Sequence, residues 1–185
     1  MPGIDLKKFR NISKTKEKKI LFVGRISEQK NIEDIIKIAR MLPYKFWIIG
    51  GGQTTIIKKL KRKSPNNIIW LGEVKNEDLI KFYSRASILI LTSHWESFGI
   101  TIIEAMACGA VPIVYDVIPK GIINNGFNGF VVKKYDIQSM VRKINLLMND
   151  KIIFNFMSKK AIQKCRNNFD INEYHQKIER VLCES

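Results

Sequence analysis

Residues 88–114 read ILILTSHWESFGITIIEAMACGAVPIV, and this stretch decides the fold. A short apolar run, Ile88–Leu91, is followed by a polar segment and then by residues 100–106, whose apolar positions have helical spacing. A glycine and a second apolar run, Val111–Val114, complete the stretch. Continuous apolar runs joined by a helix are typical of parallel strands that are covered on both faces. The stretch therefore predicts a strand–helix–strand unit of an α/β sheet.

The same rhythm continues on both sides of this unit. Four further apolar runs alternate with segments of helical periodicity: Lys19–Val23, Lys45–Ile49, Ile68–Leu71 and Phe130–Val132. We therefore predict one α/β domain, a Rossmann-like, doubly wound parallel sheet of about six strands within residues 20–135. Residues 1–19 are expected to form a linker and a solvated, lysine-rich lead-in. Residues 136–185 are expected to form a helical tail with three helices: Ile137–Met148, Ile152–Cys165 and Asn172–Leu182.

Composition excludes several classes of protein. Of the 185 residues, 45% are hydrophobic and 26% are charged, which excludes a disordered chain or a fibrous repeat. No apolar run approaches the roughly 18 residues of a membrane span, and the first residues lack the apolar core of a secretion signal. The three cysteines are widely spaced and indicate neither a disulfide framework nor a zinc site. We expect a cytoplasmic protein, with at most peripheral contact with the inner face of a membrane.

The net charge of +15 is the unusual number, since 32 Lys and Arg stand against 17 Asp and Glu. Such an excess attracts nucleic acids, anionic membranes and phosphorylated small molecules. Lysine supplies 24 of the 32 cations, whereas specific nucleic-acid contacts favour arginine. We therefore expect a mostly solvated lysine surface and no nucleic-acid partner.

Residues that follow the predicted strands are the candidates for ligand binding, because open α/β sheets bind ligands at the carboxyl ends of their strands. Gly24 and Arg25 follow the first run and Lys30 comes five residues later, a pattern that indicates phosphate binding. Gly50 begins a run of three glycines after the second strand, where a ligand can approach the backbone closely. The run does not match the GxGxxG fingerprint, and Glu73 comes after the next strand, so we exclude a dinucleotide site.

Two carboxylates, Glu96 and Glu104, lie on either side of Gly99 in the opening stretch. The predicted helix begins at Phe98-Gly99, and its free backbone N–H groups would form a seat for an anion. Glu104 interrupts an otherwise apolar helix, and a buried carboxylate needs a partner. That partner is either the hydroxyl groups of a ligand at the start of the helix or an internal Arg or Lys.

These residues resemble the motifs of the group 1 (family 4) retaining glycosyltransferases of GT-B fold. Glu96 and Glu104 have seven residues between them, like the E-x7-E motif of that family, and Phe22–Asn31 is similar to its FVGR…KN segment. Four other segments are similar to family motifs: Pro2–Phe9, which resembles the linker that opens the C-terminal domain, Ile68–Val74, Ala105–Val114 and Asn125–Val132. Pro119–Ile123 departs from the pattern, because Lys120 stands where many members have Glu.

The resemblance implies a donor site for a UDP-, GDP- or ADP-linked hexose, with no metal ion or other cofactor. It implies three catalytic residues: Arg25 and Lys30 on the diphosphate, and Glu96 facing the donor sugar. It implies the following donor-binding residues: Gly24, Gly50, Val74 beside the base, Phe98, Gly99, Ile100 and Thr101 at the helix start, and Glu104 on the ribose. A glycan or lipid-linked acceptor would be held mainly by an absent N-terminal domain, so the chain alone is expected to be inactive.

Two other classes of function stay open at this point. A non-catalytic, glycosyltransferase-like binding module would use its basic surface, and salt-sensitive binding of nucleic acid without an effect of nucleotide would reveal it. A phosphorylase or an epimerase of the same fold would be revealed by its activity. The two carboxylates argue against the binding module, because burying them is costly without a ligand.

Overall fold

The computed structural model describes residues 4–13 and 15–171. The predicted helix Asn172–Leu182, Lys14, and the first residues of the predicted linker lie outside the described residues. Within these residues the chain forms six strands: β1 (Glu17–Val23), β2 (Lys45–Ile49), β3 (Ile68–Gly72), β4 (Ala86–Leu91), β5 (Val111–Tyr115) and β6 (Phe130–Val132). The α-helices that the described residues contain are α1 (Ile32–Arg40), α2 (Thr54–Lys63), α3 (Asn76–Arg85), α4 (Ile100–Ala107), α5 (Ile137–Asn149) and α6 (Lys151–Asn168).

The strands form one sheet in the order β3-β2-β1-β4-β5-β6, and every neighbouring pair is parallel. This confirms the predicted Rossmann-like fold. Strands β2 and β3 follow β1 on one side of the sheet, whereas β4, β5 and β6 follow on its other side. The strand order therefore reverses between β1 and β4, and a crevice opens at the carboxyl ends of these two strands. Any ligand site of the usual kind for this fold therefore lies at that edge.

Helices cover both faces of the sheet, which explains the continuous apolar strands. Helix α1 packs against α2 and α5, whereas α4 packs against α3 and α6. All six residues of β4 and all five of β5 are buried. The loops that follow β4 and β5 at the carboxyl edge are thus anchored by fully buried strands.

The predicted strand limits agree closely with the structure. Strands β2 and β6 have the predicted bounds, and β3 and β5 each extend one residue further. Strand β1 begins at Glu17 rather than Lys19, because Glu17 pairs with Ala86 of β4, across a register shift that separates this pair from the one at Ile20. Helices α5 and α6 follow β6 with no strand between them, as the sequence pattern predicts.

The prediction of a solvated lead-in is wrong for Lys16. Its ammonium group donates hydrogen bonds to the carbonyl oxygens of Tyr83, near the end of α3, at 2.9 Å and of Cys108, at the end of α4, at 2.7 Å. Burial lowers the pKa of Lys16 to about 7. The side chain is held inside because the last carbonyls of two helices lack partners within those helices, and a cation there also complements both helix dipoles. Lys16 therefore ties α3 to α4.

Membrane-spanning helices are not found among the described residues, since none of their helices is both long and apolar enough to cross a bilayer.

Candidate functional site

An open cleft of about 790 Å³ lies at the carboxyl edge of the sheet. The loops that follow β1, β2 and β3 form it, and Leu79 of α3 contributes to one wall. Four residues predicted from the sequence line this cleft: Gly24, Arg25, Gly50 and Val74. Its place and its lining therefore match the predicted ligand edge of the fold.

The floor of the cleft is bare backbone. A Cβ atom on Gly50 would lie 1.8 Å from the carbonyl oxygen of Gly24, so no larger residue fits without moving the chain. The N–H of Gly24 donates to the carbonyl of Ile49 at 3.0 Å, and that of Gly50 donates to the carbonyl of Gly72 at 2.8 Å. These bonds hold the three strand ends side by side, and the glycines let a ligand reach the backbone.

Arg25 is exposed at the rim of this cleft. Within residues 4–13 and 15–171 it forms no ion pair, because the ion pairs there involve other residues. A guanidinium group with free donors matches the geometry of a phosphate group. Arg25 is therefore placed to contact an anion in the cleft.

Lys30 and Glu96, both predicted to be catalytic, meet directly. The Lys30 ammonium donates to the two carboxylate oxygens of Glu96 at 2.8 and 2.9 Å, and Ser93 donates to one of them at 2.6 Å. Only 18% of the Lys30 side chain and 9% of the Glu96 side chain are exposed. Such charge-assisted bonds are strong, so the pair is a fixed feature of the site. Neither residue lines the 790 Å³ cleft.

The turn that carries Lys30 is held from several sides. Asn31 adopts a left-handed conformation with φ of 46°, and its carbonyl accepts a bond from Thr92 at 2.9 Å. Asp34 is 2% exposed and accepts hydrogen bonds from Asn31, Lys37 and Tyr115 at 2.7, 2.7 and 2.9 Å. Burial, together with the hydrogen bond to Asp34, raises the pKa of Tyr115. These contacts offset the strain of the turn and fix the direction of Lys30.

Helix α4 begins at Ile100, directly after the predicted opening at Phe98-Gly99. Gly99 precedes the helix with φ of 67°, and a Cβ on it would lie 2.8 Å from the side chain of Ile122. Because glycine has no side chain, no side-chain cap is available at this position for the first backbone N–H groups of the helix, those of Ile100 and Thr101. Phe98 is 61% exposed and Ile100 is 43% exposed. Gly99 itself is buried, and none of these residues lines the cleft, so the free N–H groups at the start of α4 stay a candidate anion site beside it.

Glu104 has a partner that neither sequence alternative named. The phenol of Tyr83 in α3 donates to Glu104 Oε2 at 2.8 Å, and Tyr83 is fully buried. Burial raises the pKa of Glu104, and the bond from Tyr83 partly opposes this shift. Burial, together with the nearby Glu104 charge, raises the pKa of Tyr83. One Glu104 oxygen is thus fixed by the protein, and the carboxylate is only partly buried.

Sequence reasoning missed several residues of this region. Glu73 lines the cleft directly after β3, where the same strand-end rule could have found it. Tyr83 resembled an ordinary apolar position of its helix, and Ser93 gave no signal of its own. Among the described residues, no three His, Cys, Asp or Glu side chains converge to hold a metal ion. The expectation that no metal takes part stays a prediction.

Comparison with known proteins adds a family to this geometry. The model of the family described as "Glycosyl transferases group 1" matches residues 4–168. A Campylobacter jejuni relative, N,N'-diacetylbacillosaminyl-diphospho-undecaprenol alpha-1,3-N-acetylgalactosaminyltransferase, is 28% identical over 181 residues, which is 87% of this chain and 47% of the relative. The chain spans about half, or less, of the length of the curated relatives that it matches first.

Solved structures agree on the fold. The C-terminal domain of a group 1 glycosyl transferase, LpcC from Francisella tularensis, is 21% identical and superposes with a TM-score of 0.80, covering 91% of this chain and 100% of that one. Anabaena HepE, solved in complex with UDP and glucose, is 20% identical with a TM-score of 0.88, covering 99% of this chain and 56% of that one. The described fold is that of the C-terminal half of a GT-B enzyme.

Proposed function

Because the chain belongs to the group 1 glycosyltransferases, we propose that it is the domain that binds the nucleotide-sugar donor and supports transfer of its hexose. The observation that carries this proposal is the 790 Å³ cleft, which joins bare backbone and a free guanidinium group at the carboxyl edge. A relative of the same fold holds UDP and glucose, which supports a donor of this class.

The diphosphate of the donor lies at the β1 end of the cleft in this proposal. Arg25 contacts it from the rim. The first N–H groups of α4 lie outside the cleft lining and would approach the diphosphate from the β4 side of β1. Gly24 and Gly50 let it approach the backbone. At the far end, the backbone at Val74 borders the base.

The Lys30–Glu96 pair has a double role in this proposal. The carboxylate of Glu96 would stabilise positive charge that develops on the donor sugar, while the two hydrogen bonds from Lys30 keep it oriented. Lys30 also places a cation near the diphosphate, where negative charge grows as the nucleotide leaves. The chain's own cations and helix N–H groups thus supply the stabilisation, and we propose that no metal ion is needed.

Glu104 would accept hydrogen bonds from the ribose hydroxyls. Its Oε2 already accepts the phenol of Tyr83, so the carboxylate is oriented before a donor arrives. Pre-orientation of this kind lowers the cost of binding, because less side-chain freedom is lost. Tyr83 is therefore a positioning residue, since it would act on the donor only through Glu104.

Transfer is proposed to retain the configuration of the donor sugar, and an N-terminal domain is proposed to hold the acceptor. The length of the relatives and the fit to a separately solved C-terminal domain support the second point. The Campylobacter relative acts on a lipid diphosphate, and the net charge of +15 supports peripheral contact of this chain with an anionic membrane carrying such an acceptor. The chain alone is expected to bind a donor without transferring it efficiently.

Calorimetric titration of UDP, GDP and ADP into the folded chain tests the proposal. At least one of the three is expected to bind with a dissociation constant well below millimolar. A sample with native helix content that binds none of them at millimolar concentration would overturn the proposal. Binding of RNA that nucleotide does not compete with would favour the basic binding module instead.

A further inference from the structure

The three glycines after β2 make room for three different groups. A Cβ on Gly50 would meet the carbonyl oxygen of Gly24 at 1.8 Å, and one on Gly52 would meet that of Ile26 at 2.1 Å. A Cβ on Gly51 would instead meet Glu73 Oε1 at 1.8 Å. Gly51 thus leaves space for a carboxylate that lies over the backbone at the end of β2.

Arg25 and Glu73 follow strands on opposite sides of the cleft. Arg25 follows β1 and Glu73 follows β3, with β2 between them, which separates the two strand ends by roughly 10 Å. Among the described residues that line the cleft, Arg25 is the one cation and Glu73 the one carboxylate. A nucleoside diphosphate therefore fits in one direction, with its phosphates at Arg25 and its base at Glu73.

Resting on the proposed function, we propose that Glu73 selects a guanine base, so that the donor is a GDP-linked sugar. The hydrogen-bonding edge of guanine carries two adjacent donors, N1–H and the N2 amino group, and a carboxylate accepts both at once. Uracil presents one donor, N3–H, between two carbonyl oxygens that a carboxylate repels. Adenine presents one amino group beside an acceptor nitrogen. A carboxylate at the base end thus favours guanine over both alternatives.

A site of this type binds a nucleotide with the wrong base more weakly. A pocket that hydrogen-bonds a particular ligand group rejects an analogue lacking that group, because a polar atom of the pocket is then left unpaired. A good bidentate contact gives discrimination of about tenfold or more between bases. Glu73 is exposed, so the expected preference lies at the low end of that range.

The test compares GDP, UDP and ADP by calorimetry on the wild-type chain, on Glu73→Gln and on Glu77→Gln. Glu77 is an exposed glutamate of α3 that does not line the cleft, so it is a matched control. The wild type and Glu77→Gln are expected to bind GDP about tenfold more tightly than UDP or ADP. Glutamine offers one donor and one acceptor, which complement the N3–H and a carbonyl oxygen of uracil and still leave guanine one such pair, so Glu73→Gln should strengthen UDP and reduce the preference for GDP over UDP toward one.

Each result bears on the inference in a distinct way. Wild-type binding of UDP as tight as that of GDP, or an unchanged ratio in Glu73→Gln, overturns the selection of guanine and leaves the proposed function standing. Failure of all three nucleotides to bind a folded chain overturns the proposed function, and the inference with it. Because Glu73 is exposed, the substitution is not expected to disturb folding, which circular dichroism checks.

Discussion

Removing the phenol of Tyr83 is expected to destabilise the fold in a pH-dependent way. In Tyr83→Phe, Glu104 loses a 2.8 Å hydrogen bond from a fully buried donor. A hydrogen bond to a charged group contributes about 1.5–3 kcal/mol, so we expect a loss of about 2 kcal/mol in the free energy of unfolding at pH 8. With a urea slope near 2 kcal/mol/M, the midpoint of unfolding should fall by roughly 1 M.

The loss should be smaller at pH 5. Burial raises the pKa of Glu104 above its ordinary value, so between those two values the folded chain binds more protons than the unfolded chain. Stability contributed by this group therefore falls as pH rises through that window. Without Tyr83 the pKa rises further, and the penalty grows toward pH 8. Urea unfolding at pH 5 and pH 8 measures the difference.

The matched control is Tyr44→Phe, whose hydroxyl makes an exposed 3.3 Å bond to Asn149. This substitution should change stability by less than about 0.5 kcal/mol at either pH. A Tyr83→Phe variant that is as stable as this control at pH 8, or that loses more at pH 5 than at pH 8, would refute the reasoning.

Three further predictions concern the remaining buried and close-packed groups. Burial lowers the pKa of Lys16 to about 7, so above pH 7 the folded chain binds fewer protons than the unfolded chain, and the free energy of unfolding should rise from about pH 7 to about 8.5. Urea unfolding of Lys16→Met should show no such rise. The same rise in the variant as in the wild type would contradict the prediction. Lys30→Met should lower the free energy of unfolding by about 2 kcal/mol, because it leaves the Glu96 charge without its cation. In a double-mutant cycle, adding Glu96→Gln should recover part of that stability. Losses that simply add would show that the two residues are not coupled and would contradict the prediction. Gly50→Ala should cost about 1–3 kcal/mol, because its Cβ has no space beside the Gly24 carbonyl, and wild-type stability in the same assay would disprove the close approach.

The fold could be predicted from the sequence because each strand carries its own signal. Runs such as Lys45–Ile49 and Phe130–Val132 are short, apolar and bounded by polar segments, and the structure confirms their limits. The start of β1 could not be predicted, since Glu17 becomes part of the strand by pairing with Ala86, far along the chain. Pattern reveals where a strand is buried, whereas pairing sets how far it extends.

The candidate site shows the same division. Gly24, Arg25, Gly50 and Val74 follow strands directly, so the strand-end rule predicted their shared edge, and all four line the cleft. The partners of the charged groups could not be predicted in this way. Lys16 is held by carbonyl oxygens near the ends of α3 and α4. Both helices lie far from Lys16 in the sequence, so the residues around it give no signal of this contact.

The hydrogen-bond partners of Glu104 and Glu96 could not be predicted from the sequence either. The sequence left Glu104 with a ligand or an internal cation as partner, but the phenol that meets it belongs to a residue with the spacing of a core position. Lys30 and Glu96 were predicted separately, and their direct contact appears only when the turns after β1 and β4 are side by side. Residue type and strand position predict where a site lies, but not which of its groups touch.

The most direct test of the central claim is calorimetry of Arg25→Ala with the best-bound nucleoside diphosphate and with its nucleoside. If the cleft holds the diphosphate at Arg25, this variant should bind the diphosphate about five- to tenfold more weakly and bind the nucleoside as the wild type does. Arg62→Ala, at an exposed arginine of α2 away from the cleft, should leave both affinities unchanged. Wild-type affinity of Arg25→Ala for the diphosphate, or an equal loss for both ligands, would contradict the account.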